Sequence, residues 1–187
     1  MSEQGDWHLV VRAQNGDRAA FAELIGRYQT PLVNFCSRMI GSQEDAEELA
    51  QDSFMRIYRH LGRLTPRGAR FSTVLFGIAR NLTLNTIRNA KRRGRDAAQA
   101  LNQGAPVPDN TYRPDRDAQV GELGAMIERA IAQLSPEHRE VVLLRDIEGL
   151  DYAAIARICK CRKGTVKSRL ARAREQLRAR IVELEGE

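Results

Sequence analysis

The feature that most constrains the fold is a pair of short helical patterns that meet across a tight basic break near the C-terminus. The first pattern starts at Asp151, which can cap a helix of small and apolar residues that ends near Ile158. The break covers residues 160–163. In the second pattern, apolar residues recur along one helix face, at Val166, Leu170, Ala173, Leu177 and Ile181. This layout is typical of a helix-turn-helix.

The charge of this segment favours a nucleic-acid partner. Residues 157–180 contain ten Lys or Arg and one acidic residue, a density that suits phosphate contacts. A solvated basic helix is the alternative for an isolated charge run, but the short helix in front of it favours DNA binding. The face opposite the apolar stripe would meet a groove of the DNA through Ser168, Ala171, Arg172 and Glu175.

Composition predicts an all-α protein made of two small helical domains. Aromatic residues are 5% of the chain, and Val, Ile and Thr form no alternating runs, so nothing indicates a sheet. Prolines, Gly, Asn and Asp in residues 94–120 predict a flexible linker. A long loop within one domain is the alternative, but loops of that length are uncommon in compact domains. The expected domains are residues 1–93 and 121–187, the second with four helices and a start signal at Ser135.

The first domain contains two helices of opposite charge. Residues 44–52, after a capping Ser42, hold five acids and no base, whereas residues 67–95 hold eight Lys or Arg and no acid. This separation predicts two partners or two faces. A carboxylate metal site on the acidic helix would need further converging ligands, and the three His form no motif with these acids, so no catalysis is expected. Short polar groups on the basic helix could read a base edge: Asn81, Thr83, Asn85 and Thr86.

Composition also limits the compartment and the cofactors. No window approaches 18 consecutive apolar residues and the N-terminus lacks a signal-peptide pattern, so a cytoplasmic protein without membrane insertion is expected. Cys36, Cys159 and Cys161 are an odd number of cysteines and fit that compartment. With no second pair and few His, Cys159 and Cys161 favour packing over a zinc site, and no cofactor or metal is expected.

Both halves of the chain resemble one family. Residues 45–61, DAEELAQDSFMRIYRHL, and residues 70–93, RFSTVLFGIARNLTLNTIRNAKRR, resemble region 2 of the extracytoplasmic-function (ECF) σ factors. Residues 164–178, GTVKSRLARAREQLR, resemble region 4 of the same family. These factors are the small promoter-specificity subunits of bacterial RNA polymerase. The resemblance implies an alternative σ factor that binds core RNA polymerase, through the β′ clamp helices and the β flap, and directs it to promoter DNA. It also implies an anti-σ factor as a partner. A helix-turn-helix regulator that does not replace the polymerase specificity subunit is the alternative, although it leaves residues 43–93 without a role.

The same resemblance implies three groups of site residues. The −35 element would be bound by Arg145, Thr165, Lys167, Ser168, Arg169 and Arg172. The −10 element would be bound by Arg67, Arg70, Asn81, Asn85, Arg88, Lys91 and Arg92, with Asn81 and the loop 64–70 forming a pocket for an extruded base. Core polymerase would be bound by Glu48, Gln51, Asp52 and Arg56. The chain departs from the family at Val74, where Trp is common and Tyr58 or Phe71 would have to substitute, and at Lys160, where Gly is frequent.

Overall fold

A computed structural model describes residues 3–65, 69–100 and 121–185. Most of these residues are helical and none lies in a strand, which confirms the all-α class. The α-helices in these ranges are α1 (Glu3–Gln14), α2 (Arg18–Ile40), α3 (Gln43–Arg59), α4 (Phe71–Ala100), α5 (Gly121–Gln133), α6 (Pro136–Val142), α7 (Tyr152–Ile158) and α8 (Lys163–Glu185). A 3-10 turn, Leu61–Arg63, follows α3, and a π-helical turn, Leu143–Ile147, continues α6. Within the described ranges, no helix is both long and apolar enough to cross a membrane.

Side-chain caps fix the starts of three helices where the sequence predicts them. Ser42, Ser135 and Asp151 each accept a hydrogen bond from the backbone N–H three residues later, at 3.2, 3.4 and 2.8 Å. Each cap gives a partner to an N–H group that has none within its helix, a contribution of about 1 kcal/mol. Because α7 has only 7 residues, the Asp151 cap largely decides where the helix-turn-helix begins.

The N-terminal half, residues 3–100, is a bundle in which α2 packs against α1, α3 and α4. Leu24, Leu32, Phe35 and Phe76 are at most 2% exposed, and the rings of Phe35 and Phe76 meet edge-on at 5.5 Å. An aromatic pair in this geometry contributes about 0.5–1.5 kcal/mol beyond its buried area. This core holds the acidic α3 and the basic α4 against the same central helix.

The C-terminal half, residues 121–185, is organised around α8, which packs against α5, α6 and α7. The predicted apolar stripe of α8 is confirmed: Val166, Leu170 and Ala173 are buried, and Leu177 and Ile181 are half-buried. The opposite face is exposed at Ser168, Ala171, Arg172 and Glu175. One side of α8 therefore forms the core, and the other presents basic and polar groups to solvent.

The two halves pack on each other. Helix α4 contacts α7, α2 contacts α5 and α6, and buried apolar residues of both halves form one cluster. Helix α4 continues to Ala100, so residues 94–100, predicted as the start of the linker, are helical. Alanine-rich sequence explains the extension, since alanine has the highest helix propensity and the first proline comes only at Pro106. Residues 101–120 lie outside the described residues, and the division into two domains joined by a flexible linker stays a prediction.

Candidate nucleic-acid and partner interfaces

A groove of about 980 Å3 lies between α2 and α3. Its floor is apolar: Phe21 and Phe54 are buried there, whereas Met55 and Tyr58 are 44% and 49% exposed. Its rim on α3 is acidic and polar, with Glu44, Glu47, Glu48 and Gln51. Large apolar side chains exposed in a polar-rimmed groove are typical of a protein-binding surface.

Two of the four residues predicted to bind polymerase line this groove. Glu48 and Gln51 belong to its rim, whereas Asp52 and Arg56 are exposed on α3 but do not line it. The spacing of four residues between Glu48, Asp52 and Arg56 makes them neighbours along the helix. Helix α3 therefore offers one exposed charged strip with the groove along its edge.

The residues predicted to bind the −10 element lie mainly in one row on α4. Asn81, Asn85, Arg88 and Arg92 are exposed and follow one another at i, i+4, i+7 and i+11. Lys91, three residues after Arg88, is also exposed. The row changes along the helix from amides, which can read a base edge, to cations, which can bind phosphate.

Three other residues considered for −10 DNA binding do not belong to this exposed row on α4. Arg67 lies outside the described residues. Arg70 is half-buried, and its guanidinium is 3.7 Å from the carboxylate of Asp151 in the other half. Thr83 is fully buried and its hydroxyl donates to the backbone carbonyl of Arg80 at 2.9 Å, so the prediction that it reads a base is wrong. A residue two positions from Asn81 falls on the opposite side of the helix.

Helix α1 anchors both ends of the loop that leads into α4. The indole Nε1 of Trp7 donates to the carbonyl of Ala69 at 3.2 Å. Gln14 donates through Nε2 to the carbonyls of Leu61 and Leu64 at 2.8 and 2.9 Å. Sequence reasoning missed these two positioning residues, although the single tryptophan of the chain was a signal.

The two aromatic residues considered as substitutes near Val74 are placed differently: Phe71 is buried and Tyr58 faces the α2–α3 groove. Phe71 is 1% exposed and packs against Tyr28, with ring centroids 5.5 Å apart. Tyr58 packs against Phe21 at 5.1 Å and lines the α2–α3 groove instead. Val74 is itself half-buried.

The ring of Tyr152, at the first position of α7, contacts the side chains of two residues predicted to bind the −35 element. The guanidinium of Arg145 lies 5.1 Å from the centre of its ring, and the ammonium of Lys167 lies 6.0 Å from it. Arg145 also donates to the carbonyl of Leu150 at 2.9 Å. Cation–π contacts at such distances orient both cations. Sequence reasoning missed Tyr152, although an aromatic residue directly after a capping Asp was visible.

The remaining −35 candidates lie on the first turns of α8. Lys167, Ser168 and Arg172 are exposed and Thr165 is half-buried. The Ser168 hydroxyl donates to the carbonyl of Thr165 at 3.0 Å, which leaves its oxygen as an acceptor. Ser168 and Arg172 lie on the solvent side of the helix, opposite the apolar stripe, as the periodicity predicts.

Arg169 is placed differently, because it faces a buried carboxylate. Glu140 is 0% exposed, and Arg80 of the other half donates to it from Nε at 2.6 Å and from Nη2 at 3.1 Å. Arg169 Nη1 approaches the same carboxylate at 3.5 Å. Sequence reasoning missed Glu140, whose signal was an acid directly before the apolar run from Val141 to Leu144.

The turn between α7 and α8 adopts the conformation that glycine usually supplies. Lys160 has a φ of 52°, in the left-handed region, where the family frequently has Gly. Cys159 beside it is buried, and burial raises the pKa of its thiol well above the ordinary value, so it stays protonated and unreactive. Among the described residues, no group of three or more His, Cys, Asp or Glu could hold a metal ion.

A smaller cavity of about 270 Å3 lies between the halves. It is lined by Asp6, Tyr28 and Arg70 from one half and by Glu148 from the other. The Tyr28 hydroxyl donates to Asp6 at 2.6 Å. Burial raises the pKa of Glu148 to about 7, against an opposing effect of Arg38. The interface therefore contains a carboxyl group that gains or loses its proton near neutral pH.

Comparisons with known proteins agree on one family. The profile described as Sigma-70 region 2 matches residues 24–93, and the profile described as Sigma-70, region 4 matches residues 124–177. The chain is 32% identical to the RNA polymerase sigma-H factor of Pseudomonas aeruginosa, over 95% of this chain and 94% of that protein. It is 33% identical to the ECF RNA polymerase sigma factor SigW of Bacillus subtilis, over 94% of this chain and 96% of the relative. The solved structure of the sigma factor RpoE of Bartonella quintana, in complex with the anti-sigma factor NepR, has a TM-score of 0.67 and 25% identity, over 86% of this chain and 96% of that one.

Proposed function

This chain belongs to the ECF σ factors of bacterial RNA polymerase, and from that premise we propose that the α2–α3 groove binds core polymerase while α4 and α8 bind the promoter. As an alternative σ factor, it directs transcription initiation at its own promoters. Its part is binding and positioning, and the chemistry of RNA synthesis belongs to the polymerase. The proposed place of action is the cytoplasm, with the polymerase.

The groove is the single observation that carries the polymerase contact. A helix-turn-helix regulator needs its DNA-binding half only, and would have no use for a groove with exposed Met55 and Tyr58 on another bundle. Glu48 and Gln51 would provide polar contacts at the rim, and the apolar floor would provide the buried area. The acidic rim favours a partner helix with basic residues.

The promoter contacts follow from the two exposed basic surfaces. The amides of Asn81 and Asn85 would contact bases of the −10 element, and the cations further along α4 would hold its phosphates. In the C-terminal half, Ser168 and Arg172 would read the −35 element, with Arg145 beside them. An anti-σ factor is a further proposed partner, because the similar RpoE of Bartonella quintana is bound to one.

A core-binding experiment tests the polymerase role. Glu48→Lys places a positive charge on the groove rim, and we expect it to lower affinity for core polymerase at least tenfold in a pull-down or interferometry assay without DNA. Glu175→Lys, the same change at an exposed position of α8, is the matched control and should bind as the wild type does. Asp52→Lys measures how far the surface extends beyond the groove. A folded Glu48→Lys protein with wild-type affinity would contradict the docking role.

A further inference from the structure

An aromatic ring contacts two cations at the surface of the helix-turn-helix. The centre of the Tyr152 ring is 5.1 Å from the guanidinium of Arg145 and 6.0 Å from the ammonium of Lys167, and both cations lie over the ring. The face of an aromatic ring carries its negative charge density, so it attracts each cation. Arg145 belongs to the π-helical turn that continues α6, and Lys167 belongs to α8. One side chain of α7 therefore connects two neighbouring segments.

The ring of Tyr152 is itself held in place. It is half-buried and packs against the apolar core. Asp151 fixes the backbone that carries it, because its side chain accepts a hydrogen bond from the N–H of Ala154 at 2.8 Å and so caps α7. None of the described residues forms a hydrogen bond with the hydroxyl group of Tyr152. The ring face, rather than the hydroxyl group, is therefore the part that acts on the two cations.

A wide turn presents Arg145 to this ring. The N–H of Glu148 donates to the carbonyl of Leu143, five residues earlier, at 3.0 Å, and this bond makes the turn π-helical. Single π-helical turns at the end of an α-helix are frequent at functional sites. Arg145 also donates from Nη1 to the carbonyl of Leu150 at 2.9 Å. Its guanidinium is thus restrained by a backbone carbonyl and by the ring before any DNA is bound.

Such restraint matters for a cation that binds DNA. Arg and Lys have long side chains, and fixing them in one rotamer upon binding reduces affinity. A ring that already limits the rotamers of Arg145 and Lys167 in the free protein lowers this cost. The ring also offsets part of the repulsion between the two positive charges. The observed contacts are therefore those of a preorganised binding surface.

We infer that Tyr152 is a positioning residue of the −35 surface, whose ring holds Arg145 and Lys167 in the orientations in which they contact DNA. The inference rests on the proposed function, because it assumes that these two cations bind the −35 element. Tyr152 then influences base preference through Arg145 and phosphate affinity through Lys167. Its effect passes through contacts within the protein and needs no contact between Tyr152 and a base.

Nuclear magnetic resonance of the free full-length chain tests the ring contacts directly. The ring current of a tyrosine shifts the signals of protons over its face upfield. The side-chain methylene protons of Arg145 and Lys167 should show such shifts in the wild type and in Tyr152→Phe, and should lose them in Tyr152→Leu. Ordinary chemical shifts in the wild type would overturn the inference.

Fluorescence anisotropy measures the effect on DNA binding by the full chain. The probes are a duplex that the wild type selects from a randomised pool and an unrelated duplex. Tyr152→Leu keeps an apolar side chain for packing, and should weaken binding to the selected duplex about tenfold and to the unrelated duplex about threefold. The losses differ because the base contact of Arg145 exists only on the selected duplex, whereas Lys167 contacts phosphate on both. Tyr152→Phe keeps the ring, is the matched control, and should bind within about twofold of the wild type.

A variant without both cations separates positioning from direct contact. In Arg145→Ala/Lys167→Ala protein, the further change Tyr152→Leu should alter affinity by less than about twofold, because the ring then has no cation left to position. A further loss as large as the one in the wild-type background would overturn the inference, since Tyr152 would then act by itself. Circular dichroism and thermal melting check the folding of each variant, and Tyr152→Met takes the place of Tyr152→Leu if the latter is unfolded.

The same measurements distinguish this inference from the proposed function. If Arg145→Ala/Lys167→Ala protein binds the selected duplex as the wild type does, the proposed −35 roles of both cations fail, and the inference fails with them. If that variant binds weakly while folded Tyr152→Leu binds as the wild type does, the −35 roles stand and only the positioning role of Tyr152 is overturned.

Discussion

The α2–α3 groove and the interface between the halves are both apolar regions bordered by charged side chains, but their side chains differ in exposure. In the groove, Met55 and Tyr58 remain about half exposed and Glu48 lies at an open rim. In the interface, Glu140 is completely buried and held by Arg80. The difference indicates that the groove is available to another molecule, whereas the interface is satisfied by this chain itself.

The same contrast divides the residues that are predicted to bind DNA. Arg169 and Arg70 face acids of this chain, whereas Lys167, Ser168 and Arg172 are exposed. Charged groups that are buried and paired act on stability, because removing one partner leaves the other unsatisfied. Exposed charges act on partner choice and association rate. Substitutions in the two classes should therefore change different measurable quantities.

The largest effect is expected for the buried carboxylate. Glu140→Ala leaves Arg80 and Arg169 without their shared acid, and we expect the free energy of unfolding to fall by about 3–5 kcal/mol. Urea titration followed by circular dichroism measures it. A loss below about 1 kcal/mol would show that the pair contributes no more to stability than a surface ion pair. It would contradict the difference expected between buried and exposed charges.

The exposed residues of α8 should change DNA binding and leave stability almost untouched. Arg172→Ala should weaken binding to the cognate −35 duplex by about 1–3 kcal/mol and relax preference at one position, because a base contact is lost. Lys167→Ala should weaken cognate and random duplexes alike and reduce the salt dependence by about one phosphate contact. Fluorescence anisotropy over a range of salt concentrations measures both. Equal losses on both duplexes for both variants would contradict the separate roles.

The interface should also make stability depend on pH through Glu148. This carboxyl group faces the cavity that contains Asp6, Tyr28 and Arg70, is influenced by Arg38, and burial raises its pKa from the ordinary 4.5 to about 7. The folded state therefore binds the proton more tightly than the unfolded state. This contribution is complete below pH about 4.5 and is lost as the pH rises to about 7, with a slope of at most about 1.4 kcal/mol per pH unit.

Glu148→Gln tests that dependence, because glutamine cannot titrate. The difference in unfolding free energy between the wild type and this variant should change between pH 5 and 7 and stay constant above pH 8. Urea titrations at several pH values measure it, and other titrating groups cancel in the difference. A difference that does not vary with pH would show that Glu148 is solvated in the folded protein.

The smallest effect is expected for an ion pair that lies inside one half and near the surface. Arg174 and Asp146 form such a pair, and their side chains are 45% and 35% exposed. Arg174→Gln should reduce the unfolding free energy by at most about 1 kcal/mol, since solvent screens exposed pairs. The same urea titration compares it with Glu140→Ala. A loss as large as that of Glu140→Ala would mean that burial does not separate the two classes.

Most of the fold could be predicted because its signals are local. The caps at Ser42, Ser135 and Asp151 and the apolar stripe of α8 depend on neighbouring residues only, and all are found where the sequence places them. The end of α4 was predicted too early because a basic and polar sequence was interpreted as linker although alanines support the helix to Ala100. Local preferences therefore define where helices begin more sharply than where they end.

The candidate sites divide in the same way. The sequence alone determined the exposed rows on α4 and α8, because helical periodicity decides which residues share a face. Only the tertiary structure decided that Glu140 meets Arg80, that Tyr152 contacts Arg145 and Lys167, and that Phe71, at the start of α4, is buried against Tyr28. These contacts join residues of different helical segments, and no local preference encodes which side chain of another segment a residue will face.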